Sequence, residues 1–189
     1  MQPVKRKSLQ EVEEEKTKDN IIFIISNFNT NFFKQIAQET PMPENTLTSP
    51  SFSLHPQLAN DCFELAEFPL CKLLLCNESA YPWFILVPKV DDISDIYQLD
   101  WQQQQQLLNE SSLLSELLMQ VFDGYKMNVA ALGNVVEQLH VHHIVRYTSD
   151  CSWPKPIWGQ QPSTPYSNEE LEQLKEKILP NISSVLDSL

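Results

Sequence analysis

Along Gln138–Arg146 polar and apolar positions alternate on an extended chain: Gln138, His140 and His142 fall on one side, and Leu139, Val141, His143 and Val145 on the other. β-Branched residues fill the run and Gly133-Asn134 bounds it upstream, so it reads as a strand. Two more strands are predicted, one from Leu70 to Asn77 and one from Trp83 to Val87, joined through Glu78-Ser79-Ala80-Tyr81-Pro82 and stopped by Pro88 as an antiparallel pair. Beyond the acidic connector Asp91–Asp95 the period changes to that of a helix. Asp100 is its N-cap, Gln103 completes a capping box, and Leu107, Leu114, Leu117, Leu118 and Val121 return on one face. The glutamines Gln102–Gln106 form its solvated first turn, and Gly124 supplies the stop.

The two ends follow different patterns. Asp150–Gly159, with Pro154 and Pro156, predicts an extended aromatic tail held on a fixed path. Ser167 and Glu170 form a second capping box, opening a charged, peripheral helix over Glu169–Leu179 that Pro180 ends. Before the strands, a mixed-charge run (Glu11–Lys18) gives way to an apolar, Asn-rich stretch (Ile21–Phe33) and a proline-marked boundary (Thr40–Thr46). This leader reads as a surface helix or a partly disordered segment; alternatively its apolar patch docks on the domain or on a partner. The expected organisation is an N-terminal extension over 1–50, a main domain over 51–159, and a linker with a C-terminal helix over 160–189.

Length and charge narrow the partners. A chain of 189 residues is long enough for one domain with extensions. With 13 Lys+Arg against 25 Asp+Glu, a net charge of −12, it lacks the basic footprint that duplex nucleic acid requires. The apolar run Ile21–Ile25 is too short for a membrane span of about 20 residues. Cys62, Cys71, Cys76 and Cys151 have no C-x-x-C spacing and follow no secretory leader, so reduced thiols in a soluble cytoplasmic protein are expected.

Chemistry concentrates in the histidine strand. Imidazole titrates near a pKa of about 6.5 and can act as nucleophile, base or acid. His140 and His142 share one face and suit work on a phosphate. The same alternation also suits zinc, but no Cys, Asp or Glu completes a tetrahedral set by spacing. Glu137 points to the other face, and His55 approaches only through the fold. No metal and no cofactor is therefore expected. His143, on the opposite face, reads as a hydrogen-bonded histidine packed between sheet and helix.

The run Gln138-Leu139-His140-Val141-His142-His143-Ile144-Val145-Arg146 resembles the histidine-triad (HIT) superfamily, whose His-x-His-x-His strand ends near an Arg. Gln138 stands where that pattern has its first histidine. Leu74–Asn77 with Tyr81–Lys89 resembles the family's paired strands at the ribose site, and Lys126–Asn134 resembles the strand and turn before the triad. The resemblance covers roughly Phe52–Gly159 and implies an α+β fold: a five-stranded antiparallel sheet with a long helix packed on it, assembled as a homodimer.

The resemblance also implies roles. His140 would attack the α-phosphorus of a dinucleoside polyphosphate or a nucleoside phosphoramidate, giving a nucleotidyl-histidine that water resolves. Its other ring nitrogen would donate to the Gln138 carbonyl. His142 would contact the phosphate or help protonate the leaving group, and the Gln138 side chain would hydrogen-bond phosphate oxygens without adding charge. Asn77 would hold ribose hydroxyls, unless it simply starts a turn. Asn134, and more weakly Asn128, would contact the phosphate or leaving group. The family's histidine at the start of the ribose-side strand is here Trp83. Together with Gln138 it leaves open a nucleotide-binding module with little or no turnover, and zinc binding stands as a second alternative. The tail Asp150–Gly159 resembles the C-terminal segment of a bacterial subgroup and would wall the cleft or simply pack.

Overall fold

The computed structural model describes residues 47–160 and 163–186; the expectations for the leader fall on residues outside these. The chain divides into Met1–Asn45 and Thr46–Leu189, and the second unit is the one described. It is built as α1 (Pro56–Asp61), β1 (Cys62–Glu67), β2 (Cys71–Cys76), β3 (Trp83–Pro88), a 3-10 turn (Ile96–Gln98), α2 (Trp101–Phe122), β4 (Lys126–Ala130), β5 (Val141–Arg146) and α3 (Asn168–Leu186). The strands form one antiparallel sheet in the order β1-β2-β3-β5-β4. The fold is α+β, as the resemblance implies.

Both faces of the central strands are covered, which is why β2 and β3 are almost continuously apolar. On one face Leu73, Leu75, Phe84, Leu86, Val141 and Val145 pack with Leu107, Leu114 and Leu118 of α2 and Ile178 and Ile182 of α3. On the other, Leu74, Ile85 and Val87 meet Leu58 of α1 and Val136 of the β4–β5 connection. Burying a side chain of this size contributes roughly 1.5–3 kcal/mol, so the thicker helix-side layer dominates stability. The thinner layer leaves room for a site.

Helix α2 starts as its sequence predicts. Asp100 Oδ1 accepts the Gln103 N–H at 2.8 Å, and Gln103 Oε1 accepts the Asp100 N–H at 3.0 Å. Its C-terminus differs from expectation: Asp123 is the left-handed residue (φ 50°), not Gly124. Gly124 answers a different need, because a Cβ there would lie 2.3 Å from Val145 Cγ1. The leucine stripe also carries a charge that periodicity did not reveal. Glu110 is fully buried, and its carboxylate accepts the N–H groups of Leu70 (2.7 Å) and Cys71 (3.0 Å). It thereby fastens the β1–β2 turn to the helix.

Three expectations are corrected by packing. The histidine strand begins at Val141, so Gln138 and His140 lie on the approach to it. Asp150–Gly159 is a succession of turns, not an extended tail. Helix α3 continues through Pro180 to Leu186 and is not peripheral: Leu171, Ile178 and Ile182 are buried in the main core. Pro180 lies on the exposed side, where water can satisfy the carbonyl left without its usual N–H partner.

Candidate active site

The sheet face opposite α2 and α3 carries a hollow of about 440 Å³, within the range of small-ligand sites. α1 and the start of β1 supply Gln57, Leu58, Asp61 and Cys62 to its wall. The sheet supplies Cys76, Trp83, Ile85 and His142, and the β4–β5 connection brings Asn134 and His140. The alternation of β5 explains the arrangement. His142 points into this layer, and His143, one residue on, points into the helix layer. There His143 Nδ1–H donates to Val141 O (3.1 Å) and Ser111 Oγ–H donates to Nε2 (2.7 Å). Burial pushes the His143 pKa down to about 4, so this ring is a neutral structural pin.

Fixed partners set the tautomers of the two site histidines. His140 Nδ1 lies 2.7 Å from Gln138 O; a carbonyl only accepts, so Nδ1 carries the proton and Nε2 keeps its lone pair. His142 Nδ1 lies 3.0 Å from Trp83 Nε1; an indole N–H only donates, so the His142 proton sits on Nε2. The rings stand edge to face with centroids 4.8 Å apart. Burial, then the neighbouring His140 and His143, lowers the His142 pKa to about 3, which keeps this ring neutral at cellular pH. The hollow thus presents a lone pair beside an N–H donor.

The structure gathers only some of the residues that the sequence nominates. His140, His142 and Asn134 line one hollow. Gln138 does not: beyond the strand end the chain turns, Oε1 accepts the His55 N–H (2.8 Å) and Nε2 donates to Ser53 O (2.9 Å). Its side chain ties the segment before α1 to the sheet, and only its main-chain carbonyl serves the site. Asn128 also departs from expectation, because its Oδ1 accepts from Arg146 Nη1 at 2.8 Å. Asn77 lines an adjacent hollow of about 510 Å³, which shares Asp61, Cys76, Trp83 and Trp158 with the first. Its Oδ1 accepts the Tyr166 N–H at 2.9 Å.

The expectation that the tail walls the cleft holds for Trp158, which lines the hollow, whereas Trp83 reads in the sequence only as a departure from the family pattern. The Trp83 and Trp158 rings lie 5.4 and 5.6 Å from that of His142, both edge-on. The pairing of β3 with β5, Trp83 opposite Ile144, makes the first contact, and no local signal in the sequence carries it. For metal binding, no three His, Cys, Asp or Glu side chains among the described residues are grouped to hold an ion. The Trp83 N–H also occupies His142 Nδ1 and so keeps the proton on Nε2, which leaves that ring no bare nitrogen for an ion. Cys62 and Cys76 face each other across β1 and β2, and the hydrogen bond between them, with burial, raises the Cys76 thiol pKa. That keeps the thiol protonated at cellular pH.

Comparison with known proteins fits this geometry. The sequence pattern of the HIT domain matches residues 57–149. A histidine triad protein from Marinobacter aquaeolei VT8 is 53% identical over 70% of this chain and 97% of its own, with a TM-score of 0.69. The chain belongs to the histidine-triad family. Other solved histidine-triad structures agree. The protein from Bradyrhizobium japonicum is 39% identical over 70% of this chain and 99% of its own (TM-score 0.69). The one from Sinorhizobium meliloti 1021 is 36% identical over 69% and 97% (TM-score 0.68). A search of curated proteins found no match.

Proposed function

We propose that this histidine-triad protein is a nucleotide hydrolase or nucleotidyl transferase that works at the α-phosphate of a dinucleoside polyphosphate or related nucleotide, through a nucleotidyl-histidine on His140. The observation that carries the reading is the pair of opposed tautomers. His140 Nε2 offers an unprotonated nitrogen, and the Gln138 carbonyl accepts its Nδ1–H at 2.7 Å. When Nε2 bonds to phosphorus, the P–O bond to the leaving group breaks and its electron pair leaves with oxygen. The ring becomes cationic, and the carbonyl facing Nδ1–H stabilises that charge. Water attack then breaks the P–N bond, a proton is lost and nucleoside monophosphate leaves. His142 donates Nε2–H to a phosphate oxygen, and Asn134 is placed for a second contact.

The test is brief mixing of the protein with labelled diadenosine polyphosphate, acid-free quenching and mass spectrometry of the His140 peptide. A nucleoside-monophosphate adduct on His140 is expected, with AMP as the released product; turnover with the label on another residue would overturn the assignment. One observation favours the binding-module reading: among the described residues, no Lys or Arg lines the hollow, so none of those residues offers phosphate a formal cation there. AMP binding without turnover of any nucleotide in a substrate panel would support that reading instead.

Homodimer formation belongs to the same proposal. β4 is an edge strand with one open side, Val129 on it is 49% exposed, and Trp101 and Leu108 of α2 stand in solvent. Sedimentation is expected to give twice the monomer mass, and a monomer at micromolar concentration would remove the claim.

A further inference from the structure

Trp83 opens β3 directly beside β5, and its side chain lies on the same sheet face as His142. The indole N–H to Nδ1 bond is 3.0 Å long. Trp158 closes the other side of the imidazole, 6.0 Å from Trp83 and 5.6 Å from His142 between centroids. An imidazole so held cannot flip without losing a part-buried hydrogen bond. It cannot gain a second proton without displacing the indole, which has no lone pair to offer in return.

We propose that Trp83 is a specificity-determining positioning residue: by locking His142 as a neutral Nε2–H donor it deprives the site of a general acid, restricting turnover to nucleotides whose leaving group departs as a stable anion. This rests on the nucleotidyl-histidine reading above. A neutral imidazole can share its N–H with a phosphate oxygen, but giving that proton away would leave an imidazolate, which is far too basic to form at cellular pH. Only an imidazolium could deliver a proton to a departing group. Among the described residues the titratable groups around His142 are His140 beside it, His143 behind it in the sheet, Asp61 on α1 and the Cys62 and Cys76 thiols. Asp61 is held by Gln57 and Asn60 side chains, at 2.6 and 3.0 Å.

The consequence separates two substrate classes. When a phosphoanhydride P–O bond breaks, the leaving phosphate carries the electron pair as an oxyanion and needs no proton. When the P–N bond of an alkyl phosphoramidate breaks, the amine nitrogen must be protonated as it leaves. General acid catalysis is commonly worth about 10²–10⁴-fold, so the site should favour anhydrides over alkyl phosphoramidates by at least about 10²-fold in kcat/KM.

Two measurements on the intact protein test this. In ¹⁵N NMR the wild type is expected to show His142 with Nδ1 bare and Nε2 protonated from about pH 5 to 8, where an ordinary imidazole would titrate. In a kinetic series, diadenosine tetraphosphate should turn over and adenosine alkylphosphoramidate lag by that factor. Trp83→Phe, which keeps the ring and removes the N–H, should narrow the gap and bring a titrating limb into the pH profile. A protonated Nδ1 in the wild type, or phosphoramidate turnover within about tenfold of the anhydride, would overturn the proposal; so would a Trp83→Phe variant with both readouts unchanged. If Trp83→Phe fails to fold, the wild-type spectra and substrate ratio still decide. A bare Nδ1 with no turnover of either class would sink the nucleotidyl-histidine reading, and the leaving-group claim with it, but would leave the tautomer assignment standing.

Discussion

Replacing His140 with alanine is expected to lower nucleotide turnover by on the order of 10³-fold or more, because the step that forms the covalent intermediate loses its nucleophile. Ground-state binding should suffer far less. The hollow keeps His142, Asn134 and its apolar floor, so the Kd for AMP is expected to stay within about tenfold of wild type. Single-turnover kinetics and calorimetric titration read the two quantities separately. AMP release that persists in His140→Ala would remove His140 from its assigned role. Equal losses in binding and turnover would point instead to collapse of the cavity, which His140→Asn, closer in size, would reveal by restoring binding alone.

The largest expected effect on stability comes from Arg146. The Arg146 side chain is 1% exposed and that of its partner Asp150 is 3%, and Arg146 donates to both Asp150 oxygens at 2.8 and 3.0 Å. Further bonds reach Asn128 Oδ1 and Lys155 O, and the guanidinium lies over the rings of Tyr81 and Trp153. Burial alone would raise the Asp150 pKa; Arg146 and the N–H groups of Tyr147 and Ser152 outweigh it and hold the pKa below its ordinary value. Arg146→Ala leaves that carboxylate buried without its cation, so a loss of about 3–5 kcal/mol is expected in urea unfolding. Joint replacement, Arg146→Met with Asp150→Leu, should recover most of it. A single-variant loss below about 1 kcal/mol would show that water reaches the pair and screens it.

Much of this fold is legible in the sequence because local signals and burial agree. The capping box at Asp100 and Gln103, the leucine stripe and the alternation of Val141–Arg146 each have one physical reading. The failures lie where a local rule was carried past the point at which tertiary contacts take over. Period-two alternation was extended back to Gln138, although the strand ends at Val141 and the amide finds backbone partners 83 and 85 residues away in sequence. Pro180 was read as a stop, although the apolar spacing Leu171, Leu174, Ile178, Ile182 runs straight through it. Glu110 carries no sequence signal of its role, because nothing local shows that the Leu70 and Cys71 N–H groups lie over it. The histidines of the candidate site could be named from the sequence. The His140 tautomer could be named as well, because the resemblance implies that its second nitrogen donates to the Gln138 carbonyl; that of His142 could not, since it depends on an indole from another strand.

The position of α3 bears on how the protein is made. Ile178 and Ile182 are buried in the main core, and α3 rests on β1, which is among the first described elements to leave the ribosome. Translation runs from the N-terminus, so the helix-side surface of the nascent sheet stays partly bare until residues through Ile182 have emerged. Across that interval the sticky sheet surface is open to chaperones, and it can be sealed only once α3 has emerged.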